Sequence, residues 1–202
     1  MKYIIDNINR MAGKYTPHQV FADWVEMSAL SIAQSFFSIA RKYSEDDFFT
    51  LGCMLGRLSF LLENGLDDYL GKIYMELSTG NSHTGQFFTP FHVCEMMAGI
   101  ALANYNGGIE YLNEPSSGGG ANTLAYAKVM KEKGYNYQQL LEVKAQDLDY
   151  KCVYMTYVQC SLAGVNAEVV QGNSLEGKHN VVLHTPMYVM RGGFSVKGRN
   201  NQ

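Results

Sequence analysis

The chain has 202 residues, a formal net charge of −3, 47% hydrophobic residues and 17% charged residues. That balance belongs to an ordinary globular protein with apolar content for a core, and it argues against a disordered or fibrous chain. It also excludes a protein that grips nucleic acid by overall basicity, since such a protein carries a basic face that displaces phosphate counterions.

The four cysteines, Cys53, Cys94, Cys152 and Cys160, form no CxxC pair and have no histidine at zinc-like spacing. Reduced thiols and no metal are therefore expected. The opening MKYIIDNINR holds only a short apolar patch, and no later run approaches the roughly 18 apolar residues of a membrane span. The expectation is a cytoplasmic protein without membrane attachment.

In chain order, Thr16 is a candidate N-cap with Pro17 at the first helical position. Val20, Phe21, Trp24, Val25, Ala29 and Ile32 then recur at three- and four-residue spacing, which predicts an amphipathic helix. Ser44 is placed to cap a second helix through EDDFFTLGCMLGRLSFLLEN, ending near Asn64 and Gly65. A third, shorter helix is predicted from Asp67 to Leu77. Together these form a helical N-terminal lobe over residues 1–80, and the break in TGNSHTG marks its boundary with a second domain over residues 81–202.

In the second domain, PFHVCEMMAGIALANY predicts a helix opened by Pro90. Strands are expected at 108–113, 140–145, 167–171 and 181–183, with helices at 121–133 and 149–163. Alternating strands and helices indicate an α/β domain with a parallel sheet, whose ligands bind at the carboxyl ends of the strands.

The first such end reads EPSSGGG, Glu114 to Gly120, and leads into a helix. Glycines there let the backbone approach a ligand closely while the helix start offers unpaired N–H groups. The loop is neither a dinucleotide fingerprint, which needs a third glycine where Thr123 stands, nor a P-loop, for which no Gly-Lys-Ser/Thr follows. Glu114 would repel phosphate but pair with a cationic amino-acid group, which S-adenosylmethionine carries. Asp147 ends the next strand and is the candidate for ribose hydroxyls. Asp149 is the fallback, and helix capping is the competing role for the acid. Asn173, beyond the third strand, is positioned to meet an adenine ring.

GQFFTP, Gly85 to Pro90, followed in order by EPSSGGG, AQDLD and GNSL, resembles the N6-adenine DNA methyltransferases related to type I restriction-modification (M) subunits. The likeness runs from about Thr16 to Tyr188. The resemblance implies an incomplete Rossmann-like methyltransferase sheet behind the helical lobe. It also implies S-adenosylmethionine as cofactor, with Phe88, Thr89, Pro90, Glu114, Pro115, Gly118, Gly120, Asp147 and Asn173 lining its site. Asn173 stands where the family usually has aspartate, and its amide oxygen can still accept from adenine N6.

The family's catalytic segment reads Asn/Asp-Pro-Pro-Tyr/Phe, and this chain has Thr185-Pro186-Met187-Tyr188. In the family, an Asn or Asp oxygen accepts from the adenine amine and localises its lone pair, while the aromatic ring stacks on a flipped base. By resemblance Thr185, Pro186 and Tyr188 are the catalytic candidates, with a shorter hydroxyl in place of the usual acceptor. The adjacent His184 is an alternative proton acceptor, but strand alternation turns it to the opposite face from Thr185, where a satisfied strand-end histidine is the competing reading. Only VMRGGFSVKGRNNQ follows Tyr188, so the domain is read as truncated after its fourth strand, with an open edge for the tail, the N-terminal lobe or another chain to cover, and self-association is expected. Within that tail Arg191, Lys197 and Arg199 read as solvated charges, with a DNA-tracking arm as the alternative. The implied activity is adenine-N6 methylation of DNA, bound weakly by this chain alone. The rival reading is a catalytically silent module that pairs with a methylase or restriction subunit.

Overall fold

The computed structural model describes residues 1–13, 15–34, 39–78 and 88–195. Four helices come first: α1 (Lys2–Met11), α2 (Pro17–Ile32), α3 (Glu45–Asn64) and α4 (Tyr69–Ser78). The expected caps explain where two of them start. The Thr16 hydroxyl accepts from the Gln19 backbone N–H at 3.2 Å, and the Gln19 side chain accepts from the Thr16 N–H, closing a reciprocal capping box. Ser44 accepts from the Asp47 N–H at 3.2 Å, and the acids of the first turn, Glu45, Asp46 and Asp47, favour the positive end of the helix dipole.

Two features differ from expectation. The stretch over Lys2–Met11 is a helix, driven by Ile4, Ile5 and Ile8, which are buried against the core although no side chain caps the start. The third expected helix begins at Tyr69 instead of Asp67. Asp67 accepts from the Asp68 N–H at 2.8 Å and Asp68 from the Gly71 N–H at 2.8 Å, so both acids form the turn before α4. The expected lobe boundary in TGNSHTG lies outside the described residues.

The remainder is α5 (Phe91–Ala101), β1 (Glu110–Glu114), α6 (Ala121–Glu132), a one-turn α7 (Tyr137–Leu140), β2 (Leu141–Asp147), α8 (Tyr150–Ala163), β3 (Asn166–Gln171), β4 (Val181–His184) and α9 (Pro186–Met190), the predicted alternation with the short helices α7 and α9 added. The expected α/β fold is borne out. The sheet order is β1-β2-β3-β4, with β1, β2 and β3 parallel and Leu112, Val143 and Ala167 in register.

Period-two alternation sorts β2 into two faces. Leu141, Val143 and Ala145 are fully buried on the side that α6 and α8 cover. Glu142, Lys144 and Gln146 point to the opposite side, into a cleft of about 840 Å³ shared with Asn113, Tyr188 and Phe194. The second surface of α8 packs on α2 and α3, so the N-terminal helices and the sheet share one hydrophobic core around Trp24, Leu58, Leu70 and Tyr157.

β4 departs from the expected arrangement. It pairs antiparallel to β3, with Val182 opposite Val170 and His184 opposite Glu168. A short return through residues 172–180, anchored by Asn180 N–H on the Gln171 carbonyl at 2.8 Å, folds the chain back instead of carrying it through a crossover helix. An antiparallel neighbour needs only such a hairpin-like return, whereas a parallel one needs a crossover.

Candidate functional site

The carboxyl ends of the three parallel strands bring together most of the expected binding residues. Glu114 ends β1, and its carboxylate accepts from the Ser116 N–H at 3.3 Å and from the Asn122 amide at 2.8 Å. Asp147 ends β2. One of its oxygens accepts from the Gly118 N–H at 2.9 Å and the other from the Asp149 N–H at 2.9 Å. A single carboxylate thus fixes the glycine loop on one side and the start of α8 on the other. Asp149 is the N-cap of α8, its oxygen 2.9 Å from the Lys151 N–H, so the fallback acid has the capping role and Asp147 faces the loop.

The glycines are required by space as well as by backbone conformation. Gly118 has φ +54°, and a Cβ there would stand 3.0 Å from the Phe88 ring. Gly120 has φ +96°, and its Cβ would stand 3.3 Å from the Thr156 Cα. Thr156 also donates from its hydroxyl to the Gly118 carbonyl at 3.0 Å. Gly120 precedes α6 without a side-chain cap, so that helix starts with N–H groups that no side chain claims.

Phe88 lies over the loop, with its ring centroid 5.2 Å from that of Tyr74 in α4. Thr89 and Pro90 are exposed, and Pro90 is the N-cap of α5. Gly85, Gln86 and Phe87 of GQFFTP lie outside the described residues. Pro115 is exposed and borders the cleft on the opposite side of the sheet. Asn173 follows β3, whose tip is tied to β2 by the Gly172 N–H on the Asp147 carbonyl at 3.0 Å. The Asn173 side-chain oxygen accepts from the Leu175 N–H at 3.0 Å.

The expected catalytic trio stands elsewhere. Because β4 runs antiparallel, its end reaches the amino end of β3, four residues from Gln171 and so about 13 Å from the loop side of the sheet. Thr185 is fully buried there. Its hydroxyl donates to the Val165 carbonyl at 2.7 Å and accepts from the Ala167 N–H at 3.0 Å, while also capping α9. Pro186 is the first residue of α9. Tyr188 stacks on His184, with centroids 4.2 Å apart and planes 8° from parallel, and meets Phe194 edge-on. His184 in turn contacts Glu168 at 3.2 Å. The structure therefore does not bring Thr185, Pro186 or Tyr188 to the glycine loop. Arg191 turns inward to the buried Glu142 at 3.7 Å, while Lys197 and Arg199 lie outside the described residues.

Three residues of the site escaped the sequence reading. Asn122 holds Glu114, and its position two residues inside a helix that opens at a glycine loop was the available signal. Leu148, 67% exposed beside Asp147, offers an apolar surface at the strand tip, and a leucine between two aspartates gives little sign of that. Gln159 on α8 reaches the loop through space and had no local signature.

The donors and acceptors at the strand tips suit a small molecule with a cationic amino-acid end. Each oxygen of Glu114 and Asp147 accepts one hydrogen bond from the chain and keeps a lone pair, one set for an ammonium and the other for hydroxyls. The uncapped start of α6 can take a carboxylate, and Leu148 can lie against a ring.

Among known proteins, a class I S-adenosylmethionine-dependent methyltransferase from Listeria monocytogenes shares the fold, with a TM-score of 0.57 and 12% identity over 89% of this chain and 53% of its own. A type I restriction-modification system methyltransferase subunit from Streptococcus thermophilus aligns with a TM-score of 0.41 and 19% identity over 78% of this chain and 39% of its own. The chain thus spans about half the length of the first of these and less of the second. No curated protein matches it. Residues 66–192, which contain α4, the glycine loop and β1 to β4, match the model of the N-6 DNA Methylase family, and the chain belongs to that family.

Proposed function

We propose that the strand tips bind S-adenosylmethionine and that the chain works as an N6-adenine DNA methyltransferase-like component of a restriction-modification assembly. The observation that carries this reading is the grip of Asp147 on the Gly118 N–H, which holds the glycine loop open toward Glu114 in a family of N6 methylases. Bound S-adenosylmethionine supplies an electrophilic methyl group. In this assignment Glu114 receives its ammonium, the α6 start its carboxylate, Asp147 its ribose hydroxyls and Leu148 with Asn173 its adenine. Phe88, Thr89 and Pro90 close the methionine side.

The methyl acceptor we assign is the adenine amine of DNA. The polar cleft on the sheet face opposite α6 and α8, reached past Pro115, is the side from which it would approach. Thr185 does not serve as the amine's hydrogen-bond acceptor in this arrangement, since its hydroxyl is spent on β3 and α9. The family match favours this methylase-like reading over a silent partner-binding module.

A partner supplies most of the grip on DNA in this proposal. Many cations of the described residues are already paired, as Lys72 is with Asp67, Lys128 with Glu95, Lys144 with Glu168 and Arg191 with Glu142. With a net charge of −3, the chain alone has little to exchange for phosphate counterions. No helix among the described residues is long and apolar enough to cross a membrane, and the setting we propose is the cytoplasm.

The test is isothermal titration of S-adenosylmethionine into the wild type and Glu114→Ala, followed by transfer of labelled methyl to adenine-containing DNA with and without a partner subunit. Micromolar binding that is lost in the variant supports the assignment. Absence of binding to the wild type would overturn it.

A further inference from the structure

We infer that Gln159 is a positioning residue that ties the turn before α4 to the glycine loop, so that order in that turn and cofactor binding strengthen one another. The inference deepens the cofactor reading above and rests on it for the binding half of its test. Gln159 is fully buried on α8, and its carboxamide is engaged at both ends. Its oxygen accepts from the Leu70 N–H at 3.1 Å. Its nitrogen donates to the Asp68 carboxylate at 2.8 Å and to the Gly119 carbonyl at 2.7 Å. Both N–H donors and the oxygen are engaged, two of the three bonds holding residues 68–70 and the third holding the glycine loop.

The partners are arranged as a clasp. Asp68 is 4% exposed, and the oxygen that receives Gln159 also accepts from the Gly71 N–H at 2.8 Å. The same carboxylate lies against the loop, since a Cβ on Gly119 would stand 2.8 Å from it. Burial pushes the Asp68 carboxyl above the ordinary carboxylate range, while the Gln159 and Gly71 donors pull it back. Removing a donor from a buried carboxylate leaves that charge uncompensated, so the turn and the loop share one vulnerable point.

The loop is then held from two directions. Asp147 takes the Gly118 N–H from the sheet side, and Gln159 takes the Gly119 carbonyl from the helical side. A ligand that needs the loop in this conformation must stabilise the α4 turn, and by reciprocity the turn must strengthen the ligand.

The experiment combines titration of S-adenosylmethionine with amide hydrogen exchange on the full chain, for the wild type, Gln159→Leu and Gln159→Glu. In the wild type, added S-adenosylmethionine is expected to raise protection at Leu70 and Gly71, outside its own contacts. Gln159→Leu is expected to weaken binding about 5- to 100-fold and to abolish that remote protection. Gln159→Glu keeps the acceptor for Leu70 but has no proton to donate while ionised. It faces Asp68, with Asp67, Lys72, Cys94, Cys152 and Cys160 as the neighbouring titratable groups. Lowering the pH from about 8 to 5 is expected to recover part of the lost binding in that variant alone, because a proton shared with Asp68 relieves the facing charges while the Gly119 carbonyl still lacks its donor.

Wild-type binding without protection at Leu70 and Gly71, or wild-type affinity in Gln159→Leu, overturns the inference. Should Gln159→Leu not fold, the pH rescue of Gln159→Glu decides. Should the wild type not bind S-adenosylmethionine at all, the cofactor reading fails and the clasp is judged without ligand. Loss of protection at both Gly71 and Gly120 in Gln159→Glu at pH 8 then supports it, and unchanged protection at Gly120 overturns it.

Discussion

Replacing Thr185 with valine separates a structural role from a catalytic one. The substitution keeps the shape of the side chain and removes its hydroxyl, which in the structure donates to Val165 and accepts from Ala167 and Tyr188. The site is fully buried, so water cannot replace these partners. Leaving a buried donor unsatisfied costs about 1–3 kcal/mol and loss of an N-cap about 1 kcal/mol. The losses share one hydroxyl and do not add fully, so the expected cost is about 2–3 kcal/mol. For a domain of this size that corresponds to a fall in Tm of roughly 5–10 °C.

Scanning calorimetry and urea unfolding give the stability, and titration gives S-adenosylmethionine affinity at a temperature where the variant stays folded. The expected outcome is a lower Tm with cofactor affinity within about twofold of the wild type, because Thr185 stands at the other end of the sheet from Asp147. An unchanged Tm together with abolished methyl transfer would refute this placement of β4 and return Thr185 to the catalytic position expected from sequence.

Asp147→Asn exchanges an acceptor for a donor beside the Gly118 and Asp149 N–H groups. Titration should show S-adenosylmethionine binding weakened about tenfold or more, and retained affinity would remove Asp147 from the site. Gly120→Ala forces a β-carbon into φ +96° and against Thr156, and thermal unfolding should report a loss of about 1–2 kcal/mol alongside weaker cofactor binding. Asp68 has a folded-state pKa above its unfolded value, so the folded state binds the extra proton. The carboxyl therefore contributes stability below its unfolded pKa and loses that contribution as pH rises through the folded one. Asp68→Asn should flatten this decline in urea midpoints measured from about pH 4 to 7, and parallel profiles for variant and wild type would count against the burial argument. Native alkylation should label Cys53 first, since Cys94, Cys152 and Cys160 are buried and burial raises the Cys94 thiol to about 11 and the Cys160 thiol to about 12. Rapid labelling of all four would show that the core opens readily.

What the sequence revealed was what neighbours along the chain decide. Thr16 and Ser44 cap helices through bonds that reach three residues, and the period-two and period-3.6 patterns placed β1, β2, β3, α6 and α8 within a few residues of their ends. The start of α1 had no cap to announce it, and its three buried isoleucines matter only because other helices surround them. In the site, Glu114, Gly118, Gly120 and Asp147 were legible because a glycine loop between a strand and a helix has few other uses. Gln159 was not, since its partners lie 40, 89 and 91 residues away and an isolated glutamine in a helix looks like a surface residue. The direction of β4 was hidden for a similar reason. The strand's composition suits either neighbour, and the return through Asn180 that fixes its pairing is a tertiary choice.

Among the described residues β1 is an edge strand of the sheet, and this has its own consequence for association. Two copies meeting there in the symmetric antiparallel way, centred on Leu112, would place Glu110 of each copy opposite Glu114 of the other. Two like-charged pairs facing across the seam disfavour that contact. Each acid also has a task at home, Glu110 receiving the Tyr126 hydroxyl and Glu114 the Asn122 amide, so neither can be neutralised without loosening the strand's hold on α6. Like charges at these two positions therefore work against that one symmetric pairing of the edge.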